Sequence, residues 1–116
     1  MVYYRVMKFR PNYKPPFSKF VKKAHKPLQL AIEDATDEVC EQPEIGEAKA
    51  GDLAGVRVYK FRFNRQEYLM AYRAPSPEAC AGAGVAAIEW LMIDFYQVGS
   101  HENFYDELKR YLALKE

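Results

Sequence analysis

Residues 99–112 hold the side chains best suited to chemistry. Ser100 is a candidate N-cap for a helix that runs from His101, because its hydroxyl can accept a hydrogen bond from a backbone N–H of the first turn. His101, Tyr105 and Lys109 are spaced i, i+4 and i+8, so that helix would bring an imidazole, a phenol and an ammonium group to one point. Such a set can transfer protons and hold negative charge. The buried side of the same helix is predicted to consist of Phe104, Leu108, Tyr111 and Leu112.

A basic strand is the second candidate for chemistry. Residues 56–63 alternate aromatic side chains with valine and cations, which predicts one core face and one face that ends in Lys60 and Arg62. A tight turn at residues 64–66 is predicted to join this strand to a second one at residues 67–73. The two strands form a hairpin.

The N-terminal part of the chain supplies elements that must support these groups. Residues 2–10 are predicted as a strand that ends at a proline-rich stretch. A helix is expected from Pro16 or Phe17, because proline at the first turn costs no hydrogen bond. A second helix is expected from Pro27 to about Cys40, after a break near His25-Lys26, since a residue before proline disfavours the helical region. A single kinked helix is the alternative.

Two more segments complete the predicted order. Residues 75–84 are rich in small residues and are predicted as a loop, and residues 85–98 are predicted as the longest and central strand. The order is strand, helix, helix, strand, strand, strand, helix. It predicts an α+β fold, with a small antiparallel sheet of about four strands, two N-terminal helices packed on one face and a C-terminal helix.

Length and composition set the outer limits. With 116 residues and 49% hydrophobic content, residues 1–116 are expected to form a single domain with one core. The longest apolar stretch is too short to span a bilayer, and the N-terminus lacks the apolar region of a signal peptide, so we expect a cytoplasmic protein with no membrane partner. Cys40 and Cys80 have no metal-type spacing, which favours packing roles and predicts no metal site.

The net charge of +1 hides a segregation along the chain. Residues 1–32 contain eight Lys or Arg and no acid, whereas residues 33–52 carry eight acids against Lys49 alone. Residues 57–73 are basic again, and Glu67 is their only acid. Separate basic and acidic blocks of sequence predict that one side of the molecule faces a polyanion and that an acidic side lies away from it. A solvated arrangement of helix faces is the alternative.

Two runs of the chain resemble the RelE/ParE superfamily of bacterial type II toxins. In residues 49–73, a Gly-x-Leu-x-Gly stretch at Gly51, Leu53 and Gly55 leads into the basic strand and the hairpin. In residues 99–112, a last strand runs into a terminal segment that bears His and Tyr. The predicted order of elements also agrees with that superfamily.

The resemblance implies a growth-inhibiting toxin whose cognate antitoxin wraps it and occludes its working surface. RelE-like members cleave mRNA in the ribosomal A site, so their partners are the ribosome and mRNA. ParE-like members instead poison DNA gyrase and are not enzymes. No cofactor is implied, and the oligomeric state is left open.

The resemblance also suggests roles for particular residues. RNA cleavage without a metal requires a base for the 2′-hydroxyl, cations at the phosphorane and an acid for the leaving 5′-oxygen. His101 falls near the C-terminal catalytic position and is assigned as acid or base. Tyr105 would stack on or orient the nucleotide or share in proton transfer, and Lys60 and Arg62 would clamp phosphate. Further substrate contacts are expected from Arg65, Lys49, Arg73 and Lys109.

The chain departs from the RelE-like pattern in one place. RelE-like toxins commonly carry an arginine directly after an aromatic residue of the second hairpin strand, and here Leu69 follows Tyr68. Three functions therefore stay open: a ribosome-dependent mRNA endonuclease, a gyrase inhibitor without enzymatic activity, and a relative that only binds partners.

Overall fold

The structure, a computed structural model, describes residues 9–75 and 92–115. Its strands are β1 (Arg10–Tyr13), β2 (Glu47–Ala48), β3 (Arg57–Phe63), β4 (Gln66–Arg73) and β5 (Met92–Ser100), and its helices are α1 (Pro15–Lys23), α2 (Lys26–Glu41) and α3 (Phe104–Lys115). Most of the strand predicted at residues 2–10 lies outside the described residues. The same is true of most of the predicted loop at residues 75–84, and of residues 85–91 in the predicted long strand.

The strands form one sheet in the order β1-β5-β4-β3-β2. β1 pairs with β5 in parallel, and the other neighbouring pairs are antiparallel. The α+β class and the C-terminal helix are confirmed. The described residues form five strands where about four were predicted, and the β1–β5 pair is parallel where an antiparallel sheet was predicted. β2 has only two residues, both exposed, so it shows no alternation that a sequence could reveal.

The first described strand is placed differently from the prediction. β1 includes Pro11, where the sequence pattern was expected to end a strand. Proline is tolerated in an edge strand because its missing N–H can face away from the ladder. Asn12 also ties β1 to β5, since its Nδ2 donates to Asp94 Oδ1 at 2.8 Å.

The break between α1 and α2 is confirmed. Ala24 and His25 have extended conformations, with ψ values of 146° and 163°, and Pro27 lies in the first turn of α2. The alternative of a single kinked helix was wrong. The proline-fixed start of α2 lets it turn back across the sheet with Leu28, Ile32 and Val39 buried.

Helices cover both faces of the sheet. The α1/α2 face is the side on which Met70, Tyr72 and Phe95 pack against Phe17 and Ile32. The α3 face is the opposite side, on which buried strand residues pack against α3: Val56, Val58, Leu69, Ala71 and Tyr96 lie beneath Phe104 and Leu108. Successive residues of β4 alternate between these two cores, because strand side chains point to opposite faces.

One hydrogen bond ties the hairpin to α2. The Tyr59 hydroxyl donates to the Glu38 carboxylate. This hydrogen bond to the carboxylate, followed by burial, raises the pKa of Tyr59 to about 12. The hydroxyl therefore stays protonated and can donate throughout the neutral range.

Candidate functional site

The cations of the basic strand lie on the α3 face. Lys60 and Arg62 alternate with Phe61, so they point to the same side as the buried Val58. Both are exposed, because α3 covers the Val58 end of β3 and leaves the hairpin end open. Two residues of strand separate their backbones by about 7 Å.

The two-residue turn of the hairpin sets the register of the site. Asn64 and Arg65 have φ values of 56° and 69°, the left-handed pair that tight hairpins use. Phe63 therefore pairs with Gln66, and Arg62 pairs with Glu67. The hairpin prediction is confirmed, but the turn is one residue shorter than expected.

A row of three functional groups crosses the sheet at the hairpin end. Arg62 on β3 is opposite Glu67 on β4, and the Glu67 carboxylate lies 3.1 Å from Nε2 of His101. A carboxylate at this distance fixes the orientation of the imidazole ring. About half of the His101 side chain is exposed, so the ring is open to a substrate.

His101 is positioned by a strand end and not by a helix. Ser100 is paired with Tyr68 as the last residue of β5, and α3 begins only at Phe104. The predicted Ser100 cap was therefore wrong, and Asn103, with φ of 62°, turns the chain into the helix instead. The predicted convergence of His101 with Tyr105 and Lys109 along one helix was wrong for the same reason.

An open groove of about 570 Å³ surrounds the imidazole at the hairpin tip. Strand ends and the turn form its walls, and its lining residues are Asn64, Arg65, Gln66, Glu67, Ser100, His101 and Glu102. The structure thus brings Arg65 to the same groove as His101. A groove with an imidazole and cations at its edge can bind a phosphate and move a proton.

A second cluster lies farther along the α3 face. Tyr105 projects from α3, and Nζ of Lys49 lies 5.4 Å from the centre of its ring. Lys49 also forms an ion pair with Glu47 at 3.0 Å. The hydrogen bond with Glu47 raises the pKa of Lys49, and the same contact lowers the pKa of Glu47, with a smaller effect from Lys60. Lys60 lies between the two clusters along β3, because it is two residues from Arg62 and two residues from Val58, the partner of Glu47.

A buried tyrosine holds the backbone that leads to Lys49. The Tyr72 hydroxyl donates to the Pro43 carbonyl at 2.6 Å and accepts from the Gly46 N–H at 2.9 Å. Arg57 adds a hydrogen bond from Nη1 to the Gly46 carbonyl at 2.7 Å. There is no room for a side chain at residue 46, since a Cβ there would lie 2.7 Å from the Tyr72 hydroxyl.

We expect Tyr72→Phe to lower the free energy of unfolding by about 1–3 kcal/mol, because the buried Gly46 N–H loses its acceptor. Urea unfolding measures this loss. Tyr68→Phe is the matched control, since within the described residues the Tyr68 hydroxyl makes no hydrogen bond. Equal losses in the two variants would contradict the role of the Tyr72 hydroxyl.

Arg73 and Lys109 lie at the other end of the α3 face. They line a separate groove of about 480 Å³ with Asp52 and Ala54. The Arg73 guanidinium lies 5.9 Å from the centre of the Tyr96 ring. Because Arg73 is six residues from Glu67 along β4, roughly 20 Å separates it from the His101 groove. The structure therefore does not bring these two predicted substrate contacts to His101.

The acidic block is divided between the two faces. Its first acids, from Glu33 to Glu41, lie on α2, which packs on the α1/α2 face. Glu47 instead lies on the α3 face, because it pairs with Val58 across the β2–β3 ladder. Asp52 also lines the groove with Arg73 and Lys109. The expectation that the whole block lies away from the cations was thus wrong for Glu47 and Asp52.

Sequence reasoning missed Glu67 and Glu47 as parts of the site. Glu67 was visible as the only acid of a basic segment, but a three-residue turn would have placed it opposite Phe63. Glu47 gave no such signal, because β2 is too short to predict. Both acids contact a predicted cationic or catalytic side chain.

The described residues hold no group of three or more His, Cys, Asp or Glu side chains placed to bind a metal ion. Within residues 9–75 and 92–115, no helix has the length and apolar character needed to cross a membrane.

Comparison with known proteins agrees with this architecture. The fold is similar to that of the intact E. coli RelBE toxin–antitoxin complex, with a TM-score of 0.57 and 17% identity over 81% of this chain and 98% of the matched chain. It is also similar to a double arginine-to-alanine mutant of E. coli toxin RelE in the free state, with a TM-score of 0.63 and 16% identity over 93% of this chain and 97% of that one. No curated protein matches the chain significantly. A family model described as ParE-like toxin of type II bacterial toxin-antitoxin system matches residues 12–109, and the chain therefore belongs to this family of toxins.

Proposed function

We propose that the chain is a ribosome-dependent mRNA endonuclease that inhibits translation. The observation that carries this proposal is the row of Arg62, Glu67 and His101 at an open end of the sheet, with Lys60 beside it on the same face. The row places an imidazole and a cation on one face of the sheet, with the Glu67 carboxylate between them. RNA cleavage needs both.

In this proposal the 2′-oxygen of the nucleotide attacks the adjacent phosphorus, and the P–O5′ bond breaks. His101 accepts the 2′-hydroxyl proton or donates a proton to the leaving 5′-oxygen, and water takes the other of these two roles. Arg62 and Lys60 hold the non-bridging oxygens, where negative charge increases in the transition state. Glu67 is a positioning residue that orients the ring. The products are a 2′,3′-cyclic phosphate and a 5′-hydroxyl.

Tyr105 and Lys49 would bind the neighbouring nucleotide. The Tyr105 ring is half-buried on α3 and offers a face for stacking, which contributes strongly to binding of single-stranded bases. Lys49 lies against this ring, with Nζ 5.4 Å from its centre, and is placed to meet the following phosphate. Lys60 lies between the two subsites.

A cognate antitoxin is the proposed protein partner. The structurally similar RelBE assembly is a toxin–antitoxin complex, and the family is defined by such systems. As the resemblance to the superfamily implies, this antitoxin would occlude the working surface, which in this proposal holds the His101 groove. Inhibition of cleavage by the product of a neighbouring gene tests this partner.

A gyrase inhibitor without enzymatic activity is the second candidate function. Leu69 favours it, because this position is fully buried under α3 where RelE-like toxins commonly carry an arginine. The site thus lacks one cation that an RNA-cleaving relative would have. The matching family model is also described as ParE-like.

Purified chain incubated with ribosomes that carry a defined message separates the two candidates. We expect cleavage within the A-site codon, with 5′ ends that accept phosphate from polynucleotide kinase without prior dephosphorylation. An intact message, together with double-strand DNA breaks that require gyrase, would overturn the nuclease proposal and support the second candidate.

A further inference from the structure

Four exposed lysines form a ridge where α1 meets α2. This lysine ridge consists of Lys19, Lys22 and Lys23 on α1 and Lys26 at the start of α2. The chain has no acid before Glu33. Within the described ranges, none of the four lysines forms an ion pair.

The helix gains little from so many lysines. Lys22 and Lys23 lie in the last turn of α1, where a positive charge suits the helix dipole. Lys19, however, is three and four residues before them, and like charges at these spacings destabilise a helix. Glu33 lines a groove with Lys22 and Lys26, but within the described residues it forms no ion pair with either lysine. One acid beside four lysines leaves most of their charge uncompensated, which indicates that further opposing charge comes from outside the molecule.

The lysine ridge lies beside the hairpin tip. The His25 ring is 5.9 Å from the ring of Phe63, the last residue of β3, and the Phe20 ring is 6.5 Å from that of Tyr68. A Cβ placed on Gly99 near the end of β5 would lie 3.8 Å from Phe20. The C-terminal half of α1 therefore packs across the end of the sheet that holds the His101 groove.

The turn of the hairpin links the ridge to the groove. Arg65 is two residues beyond Phe63, is exposed, and lines the groove with His101. Its positive φ belongs to the tight turn, which holds its backbone at the outermost point of the sheet. Cations thus run from the lysine ridge on the α1/α2 face, past Arg65, to Arg62 on the α3 face.

We infer that the lysine ridge binds the sugar-phosphate backbone of the RNA strand that continues out of the His101 groove. The choice of RNA rests on the proposed function. Lysines bind phosphates as point charges and do not read bases. The ridge therefore contributes affinity that is independent of sequence, and the position of cleavage is set elsewhere.

Binding of a fluorescein-labelled 16-nucleotide single-stranded RNA tests the inference, in the full chain with His101→Ala so that no cleavage occurs. The ridge variant carries Lys22→Gln, Lys23→Gln and Lys26→Gln. We expect about a tenfold or greater loss of affinity at low salt, and a slope of log K against log salt smaller by about 2, since each phosphate contact to a single strand contributes about 0.7.

The control variant loses the same charge away from the tip, through Arg10→Gln, Arg110→Gln and Lys115→Gln, and should keep the parent slope. Equal slopes in the ridge and control variants would overturn the inference. The inference would also be overturned if a 16-base-pair DNA duplex bound more tightly than the RNA and the ridge variant reduced only the affinity for DNA. If the ridge variant shows the smaller salt slope but the wild type does not cleave message, the lysine ridge still binds RNA and the nuclease proposal is rejected. If the wild type cleaves message but the ridge variant keeps the parent slope, the nuclease proposal stands and the ridge inference is rejected.

Discussion

Replacing His101 by alanine should slow cleavage of a ribosome-bound message by about a hundredfold or more. A positioned general acid or base typically contributes a factor of about 10²–10⁴ to the rate. Because His101 is exposed and outside both cores, its removal should leave the fold intact. Single-turnover cleavage on programmed ribosomes, with unfolding measured on the same samples, gives the comparison.

Asp34→Ala is the control for this variant, since Asp34 is an exposed residue of α2 away from the groove. It should cleave at the wild-type rate. Glu67→Gln should cause a smaller loss than His101→Ala, because the ring keeps a hydrogen-bonding neighbour but loses its charged partner. Wild-type cleavage by His101→Ala would remove the imidazole from the mechanism.

Replacing Leu69 by arginine should lower the free energy of unfolding by about 3–5 kcal/mol, the range for an uncompensated buried charge. Leu69 is fully buried beneath Phe104 and Leu108 on the α3 face. Its register neighbour on β3 is Lys60, so the new charge would also lie beside a cation. Urea unfolding measures the loss, and hydrogen exchange of α3 reports whether the helix separates from the sheet.

Leu69→Met is the matched control, because a swap that conserves volume and apolar character usually costs less than about 1.5 kcal/mol. Leu69→Ala should lower the free energy of unfolding by about 2–5 kcal/mol because of the cavity that it creates, which is more than the loss in Leu69→Met. Near-wild-type stability of Leu69→Arg, with α3 still protected from exchange, would contradict the burial of this position. It would also remove the main argument for the gyrase alternative.

The hairpin was predictable because its signals are local. Aromatic residues alternate with valine and cations over residues 57–63, and Asn64 favours the left-handed turn that a tight hairpin needs. The helix break was predictable for a similar reason, since Pro27 restricts the residue before it. The predicted end of the first strand at Pro11 was wrong, because proline is acceptable in an edge strand, and edge position is a property of the assembled sheet.

The candidate site was predictable only in its residue types. His101, Tyr105, Lys60 and Arg62 were chosen for their chemistry, and all four lie on the α3 face or at its edge. Their partners, Glu67 and Glu47, were not predicted. A turn shorter by one residue changes which side chains are opposite each other, and this change put Glu67 opposite Arg62. The register between β4 and β5 then placed Glu67 beside His101.

The order of amino acids by itself determined the class of the fold, the hairpin, the helix boundaries near Pro27 and the separation of charge along the chain. These features arise from periodicity, turn chemistry and proline sterics within a few residues. Only the tertiary structure decided that α3 begins after His101, that Arg73 and Lys109 lie far from the imidazole, and that the lysine ridge meets the hairpin tip. These arrangements depend on strand register and on helix packing, which join residues that are distant in the chain and have no local pattern to predict them.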